Sequence, residues 1–148
     1  MNPVRAFIFP SMLAATAFIC FPAMADENPV CPAKISVAQN LDGQAPEGWT
    51  RYDAKDEYPF SGVSFWSGTP DQKAQLAPSQ QKRNRAASTT ATWILPKSET
   101  AYWVGCEYSG TSVILAKPLE KNIDRCSVEY DNRFSPPVAK SWRCVGRP

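Results

Sequence analysis

Three of the chain's five cysteines fall between Tyr102 and Cys144, inside stretches patterned as strands, and that limits the possible folds more than any other feature. In YWVGCEY, Tyr102, Val104, Cys106 and Tyr108 alternate with Trp103, Gly105 and Glu107, the period-two signal of a half-buried strand. Ser109-Gly110 reads as a two-residue hairpin turn. Thr111–Lys117 is then the returning strand, ended by Pro118, which has no N–H to donate. Asp124–Tyr130 and Lys140–Cys144 supply two more strands, with Pro136-Pro137 turning the chain between them. Paired to bury its apolar set, the stretch becomes a four-strand antiparallel meander. Val104, Cys106, Val113, Leu115, Cys126, Val128, Trp142 and Cys144 share one face, and a one-residue slip in any strand turns its set outward.

Residues 1–25 have the form of a signal peptide: Arg5, an apolar run from Ala6 to Phe21, and the small-x-small site Ala23-Met24-Ala25. The run is short for a spanning helix and is interrupted by Pro10 and flanked by Pro22. Cys20 raises a lipoprotein alternative, but Ile19 stands before it where a small residue is wanted. Cleavage after Ala25 removes Arg5 and Cys20, leaving 123 residues (26–148), four cysteines and a net charge of +1. One domain is expected at that size, in the periplasm or outside the cell, with no stable membrane insertion once the leader is gone. Near-neutrality argues against nucleic acid as a partner.

An even cysteine count in an exported chain points to disulfides. In the meander Cys106 and Cys126 lie two strands apart, roughly 9.6 Å, beyond the reach of about 7 Å for bridged Cα atoms. Cys126 and Cys144 face each other on adjacent strands. The expected pairs are therefore Cys126–Cys144 and Cys31–Cys106.

Upstream, Lys34–Gln39 alternates as a first strand and Phe60–Ser67 reads as a second. Between them Arg51–Pro59, charged and aromatic, reads as an irregular crossing. Gln72–Ala77 is an edge strand or a short helix, and Pro78–Thr89 a mobile surface loop. Thr90–Leu95 is a further strand. Six or seven short strands with proline-rich turns give an all-β fold, a small antiparallel sandwich or open barrel.

The chain contains no histidine, which removes Ser-His-Asp and Cys-His catalysis and the commonest zinc ligand. No C-x-x-C spacing marks a redox dithiol. Asp53, Asp56 and Glu57 are the one carboxylate group to weigh for glycoside hydrolysis. Their alternation with Arg51 and Lys55 is the pattern of a solvated surface. No catalytic residue, metal ligand or cofactor is assigned. For a protein partner the candidates are the basic residues Lys82, Arg83 and Arg85, and Trp103. Trp103 lies on the face of its strand opposite Val104, either as an exposed anchor or under a second sheet.

The order of motifs resembles a family of small exported, uncharacterised periplasmic proteins of Gram-negative bacteria. It rests on Cys31-Pro32-x-x-Ile35-x-Val37, Gly48-Trp49, Gly68-x-Pro70 and Trp93-x-Leu95, then Tyr102-Trp103-x-x-Cys106-x-Tyr108-x-Gly110-Thr111-Ser112, Pro118-Leu119 and Cys126-x-x-x-Tyr130. Together these cover about a hundred residues, and the Tyr102–Ser112 block is the most specific. The resemblance implies export and an all-β domain, with some members associated with secretion-system regions, and it transfers no catalytic residue. A looser likeness is to periplasmic lysozyme inhibitors, small disulfide-bearing barrels with a Ser-Gly-x-x-Tyr segment. Here Ser109-Gly110 is followed by Thr111-Ser112-Val113, so the tyrosine is missing and the inhibitory contact does not carry over.

The function expected is that of a non-catalytic binding protein, an inhibitor or immunity factor against an envelope-acting hydrolase. The alternative is a structural or accessory component of an envelope or secretion assembly.

Overall fold

The computed structural model describes residues 30–84 and 87–147; the leader, with Cys20 and Ala23-Met24-Ala25, and Arg85 lie outside the described residues. Eight strands form: β1 (Lys34–Gln39), β2 (Ala54–Ser67), β3 (Gln80–Asn84), β4 (Ser88–Ile94), β5 (Tyr102–Tyr108), β6 (Ile114–Pro118), β7 (Ile123–Asp131) and β8 (Val138–Gly146). They build two four-stranded antiparallel sheets, ordered β1-β2-β5-β6 and β3-β4-β7-β8. The all-β, two-disulfide sandwich expected from the sequence is the fold observed.

The core lies between the sheets. Val63 and Phe65 of β2 and Val104 of β5 meet Ala91 and Trp93 of β4, Cys126 and Val128 of β7, and Ala139 and Cys144 of β8. The fully buried Phe65 ring sits 4.9 Å from Trp93 and 6.3 Å from Trp142. Its burial contributes about 1.5–3 kcal/mol. Trp93 is held across the layers too, because its indole N–H donates to the Leu76 carbonyl at 2.9 Å. Leu76 in turn donates its own N–H to Phe65.

The C-terminal meander is corrected. β5 and β6 belong to the first sheet, β7 and β8 to the second, and β7 pairs with β4 rather than β6. β4 offers β7 seven matched positions, from Ser88↔Asp131 to Ile94↔Arg125. β6 is five residues long and ends Lys117-Pro118, a composition suited to a sheet edge. Leu119 then drops into the core and carries the chain from one sheet to the other. The β5–β6 connection is also longer than two residues. Cys106 faces Leu115, not Val113, and Val113 and Leu115 are 40% and 41% exposed. The even shift keeps the side-chain faces while moving the pairs. In β7–β8 the expected pairs Val128↔Trp142 and Cys126↔Cys144 are present.

Both disulfides form as expected. Cys126–Cys144 joins facing residues with Cα atoms 4.0 Å apart, and Cys31–Cys106 spans 5.7 Å. Cys106 and Cys126 are kept apart by lying in different sheets, not by an intervening strand of one sheet.

Three further segments differ from the sequence reading. The Arg51–Pro59 crossing is largely strand, since β2 starts at Ala54 and pairs with β1 from Gln39↔Ala54 to Lys34↔Pro59. Beyond Pro59 the same strand pairs with β5. Almost every residue of the β1-paired half is exposed, Ile35, Val37 and Tyr58 being only half-buried. Neither sheet covers that half, so β1 and the start of β2 stand off the core as a two-stranded arm. The Pro78–Thr89 loop contains β3 and the first residues of β4. The 72–77 segment holds neither a strand nor an α-helix: Pro70–Gln72 makes one 3-10 turn, and Gln75 bridges to Trp66.

Candidate partner-binding surface

The basic candidates sit on an edge strand. Lys82 lies opposite Thr90 and Arg83 opposite Thr89, so alternation sends the two side chains to opposite faces of the second sheet. Arg85 is outside the described residues. Lys82 shares the outer face with a polar network. Asn84 Nδ2 donates to Thr90 Oγ1 at 2.8 Å and to Ser88 Oγ at 3.3 Å, and Thr92 and Ser127 hydroxyls meet at 3.3 Å. On the same sheet a depression of about 410 Å³ is lined by Thr90, Ser127, Glu129, Ser141, Trp142 and Arg143. Lys140 Nζ donates to Glu129 at 3.1 Å, and that contact holds the Glu129 carboxyl below its usual range.

Trp103 stands directly beside Trp66 on the face of the first sheet turned away from the second. Its side chain is half-buried. The Trp66 indole N–H donates to Ser64 Oγ at 3.0 Å. A Cβ on Gly105 would lie 2.9 Å from Ser64 Oγ and 3.2 Å from Trp66 Nε1, so only glycine lets that indole lie close over β5. Ile114 Cδ1 closes the far side, 3.5 Å from the same point. The result is a low aromatic strip.

The carboxylates weighed for hydrolysis are spread along the arm. Glu57 pairs with Lys34 at 2.6 Å and Asp53 with Arg51, all in the open. No group of three metal-ligating side chains occurs among the described residues. The most perturbed carboxyl is Asp131. Bidentate hydrogen bonds from Arg133, joined by the Arg133 backbone N–H, hold it at about 2. That clamp fixes the turn after β7 and offers no open reactive group. No helix among the described residues is long and apolar enough to cross a membrane.

The arm carries the feature that sequence reasoning passed over. Its connecting loop, residues 40–53, holds Trp49 at 77% exposure, Tyr52 at 89% and Leu41 at 49%. The Trp49 N–H donates to the Pro46 carbonyl at 3.0 Å, closing a turn. Gly48 takes its third position at φ +82°, as a type II turn requires. At the root Lys34 pairs with Glu57, and from the loop end of β1 the Gln39 amide donates to the Tyr58 hydroxyl and, at 3.2 Å, to the Gly110 carbonyl between β5 and β6. The available signal was Gly48-Trp49 followed by Tyr52–Tyr58, a strand-like run with charges on both faces. Charge on both faces marks a strand outside the core.

Comparison with known proteins adds the biological setting. The family model described as "Type VI secretion system Tli immunity protein" matches residues 54–145. A protein of Azospirillum brasilense described as "Uncharacterized 16.3 kDa protein in trpG 5'region" is 33% identical over 117 residues, covering 72% of this chain and 73% of that one. No solved structure matches. The matched segment runs from the start of β2 into β8 and takes in both strands of the aromatic strip and both cysteines of the Cys126–Cys144 bridge. The chain therefore belongs to the Type VI secretion system Tli immunity protein family, as a non-catalytic immunity protein against an effector hydrolase.

Proposed function

We propose that the protein is cleaved after Ala25 and works in the periplasm, where it silences an envelope-acting effector hydrolase by forming a stoichiometric complex without turning anything over. Family membership across residues 54–145 carries this reading. The architecture supports it, since a small disulfide-stapled sandwich with solvated carboxylates suits binding. The aromatic strip of Trp66 and Trp103, and Lys82 on the polar face of the second sheet, are contact surfaces consistent with it.

The test uses residues 26–148 and the Type VI effector hydrolase of the producing strain, each purified. The mature protein should co-elute with the hydrolase and extinguish its activity at equimolar ratio. Full hydrolase activity under excess mature protein would overturn the proposal. Processing is read separately by intact mass of the exported protein, where acylated Cys20 would displace cleavage after Ala25.

A further inference from the structure

We infer that the β1–β2 arm is the element with which this immunity protein recognises its effector, its tip placing Trp49 and Tyr52 in an apolar cleft with a cationic rim. The inference rests on the immunity reading above and adds where the contact is made. Trp49 and Tyr52 are among the most exposed large apolar side chains of the described residues, and no ring contact or side-chain hydrogen bond engages either. Aromatic side chains offer large contact areas with few rotors to freeze, which is why they dominate binding hot spots.

The tip is also organised in advance. The Pro46–Trp49 turn fixes where the indole emerges. The disulfide from Cys31 to Cys106 anchors the chain just before β1, and β2 itself continues into the core. Holding a contact element in its bound shape reduces the ordering cost of association.

Charge selects the partner. The arm and its loop, residues 34–59, contain five acids (Asp42, Glu47, Asp53, Asp56, Glu57) against three bases (Lys34, Arg51, Lys55), a net of two negative charges in a chain that is +2 as a whole. A negative tip is repelled by an anionic lipid surface and matched by a cationic rim. The family match begins at Ala54, where the loop re-enters β2. The tip itself, residues 40–53, lies outside that match.

The decisive experiment titrates the purified effector hydrolase of the producing strain with mature protein, wild type and Trp49→Ala/Tyr52→Ala. Both residues are outside the core, so circular dichroism and the denaturation midpoint should match wild type. Affinity should fall by at least about 100-fold, with amides of residues 41–53 protected from exchange in the wild-type complex. Wild-type affinity in the double variant would overturn the inference while leaving the immunity reading intact. Loss of binding in Trp103→Ala or Lys82→Ser, with the arm variant still binding, would move the contact to the sheet faces. Partition of the wild type onto phosphatidylglycerol vesicles through Trp49 would replace the effector cleft with a membrane. A wild type that neither binds nor silences the hydrolase would overturn both readings together.

Discussion

Removing the two disulfides one at a time separates chain entropy from local packing. The bridges close loops of very different length, 75 residues for Cys31–Cys106 and 18 for Cys126–Cys144. On the chain-entropy relation the first contributes about 4.5 kcal/mol at 25 °C and the second about 3.2 kcal/mol. Their difference, about 1.3 kcal/mol, depends only on the ratio of the loop lengths. Packing works the other way. Cys126 is fully buried in the core, whereas Cys31 is only half-buried at the root of the arm. The assay is equilibrium unfolding in urea of Cys31→Ala/Cys106→Ala and Cys126→Ala/Cys144→Ala, with slopes compared so that changes in denatured-state compactness are seen. The long-loop variant should be the less stable of the two. The reverse order would refute chain entropy as the governing term and hand that role to the packing around Cys126.

Two further perturbations test individual side chains. Asp131 is held at about 2 against an ordinary 3.8, so its stabilising contribution is complete above the unfolded value and disappears as pH falls through the folded one. Wild-type denaturation midpoints should therefore drop between about pH 4 and pH 2, and Asp131→Asn should flatten that part of the profile; an unchanged slope would remove the Arg133 clamp as its cause. The Tyr108 hydroxyl is buried with no hydrogen-bond partner among the described residues, and burial pushes its phenol up. Tyr108→Phe should accordingly leave stability unchanged or raise it by up to about 1 kcal/mol, and a loss larger than that in urea unfolding would show that the hydroxyl is bonded.

How far the sequence could be read depended on the range of the interaction. β1 and β5 are found where their alternation places them, and the facing of Cys126 with Cys144 follows from local pattern in β7 and β8. Which sheet β7 joins is a long-range choice, decided by the seven-residue match between β4 and β7, and alternation within β7 carries no trace of it. The disulfide pairing came out correctly because either arrangement separates Cys106 from Cys126. β3 was hidden because QQKRN is a polar edge strand with no apolar face to reveal it. The start of β2 was hidden for the same reason, compounded by Pro59, a residue that argues against a strand when read from sequence. Of the partner candidates, Lys82 and Arg83 looked like one patch because they are adjacent in sequence, and strand geometry divides them. The aromatic pair Trp66 and Trp103 was half visible, since only the register shows that the two residues are neighbours.

β2 runs for 14 residues without interruption from Ala54 to Ser67. Its rise makes it a rod roughly 46 Å long, with one half in solvent and the other clasped by the sandwich. The bulge between Phe60 and Gly62 sits at the point of entry, where a lever would have its fulcrum. A load on the free half is therefore borne by the core residues Val63 and Phe65, the Phe65 ring packing against Trp93 and Trp142. Clamping the outer end should slow amide exchange in residues 63–67, far from any contact, so the interior of the sandwich becomes a gauge of what grips the rod outside.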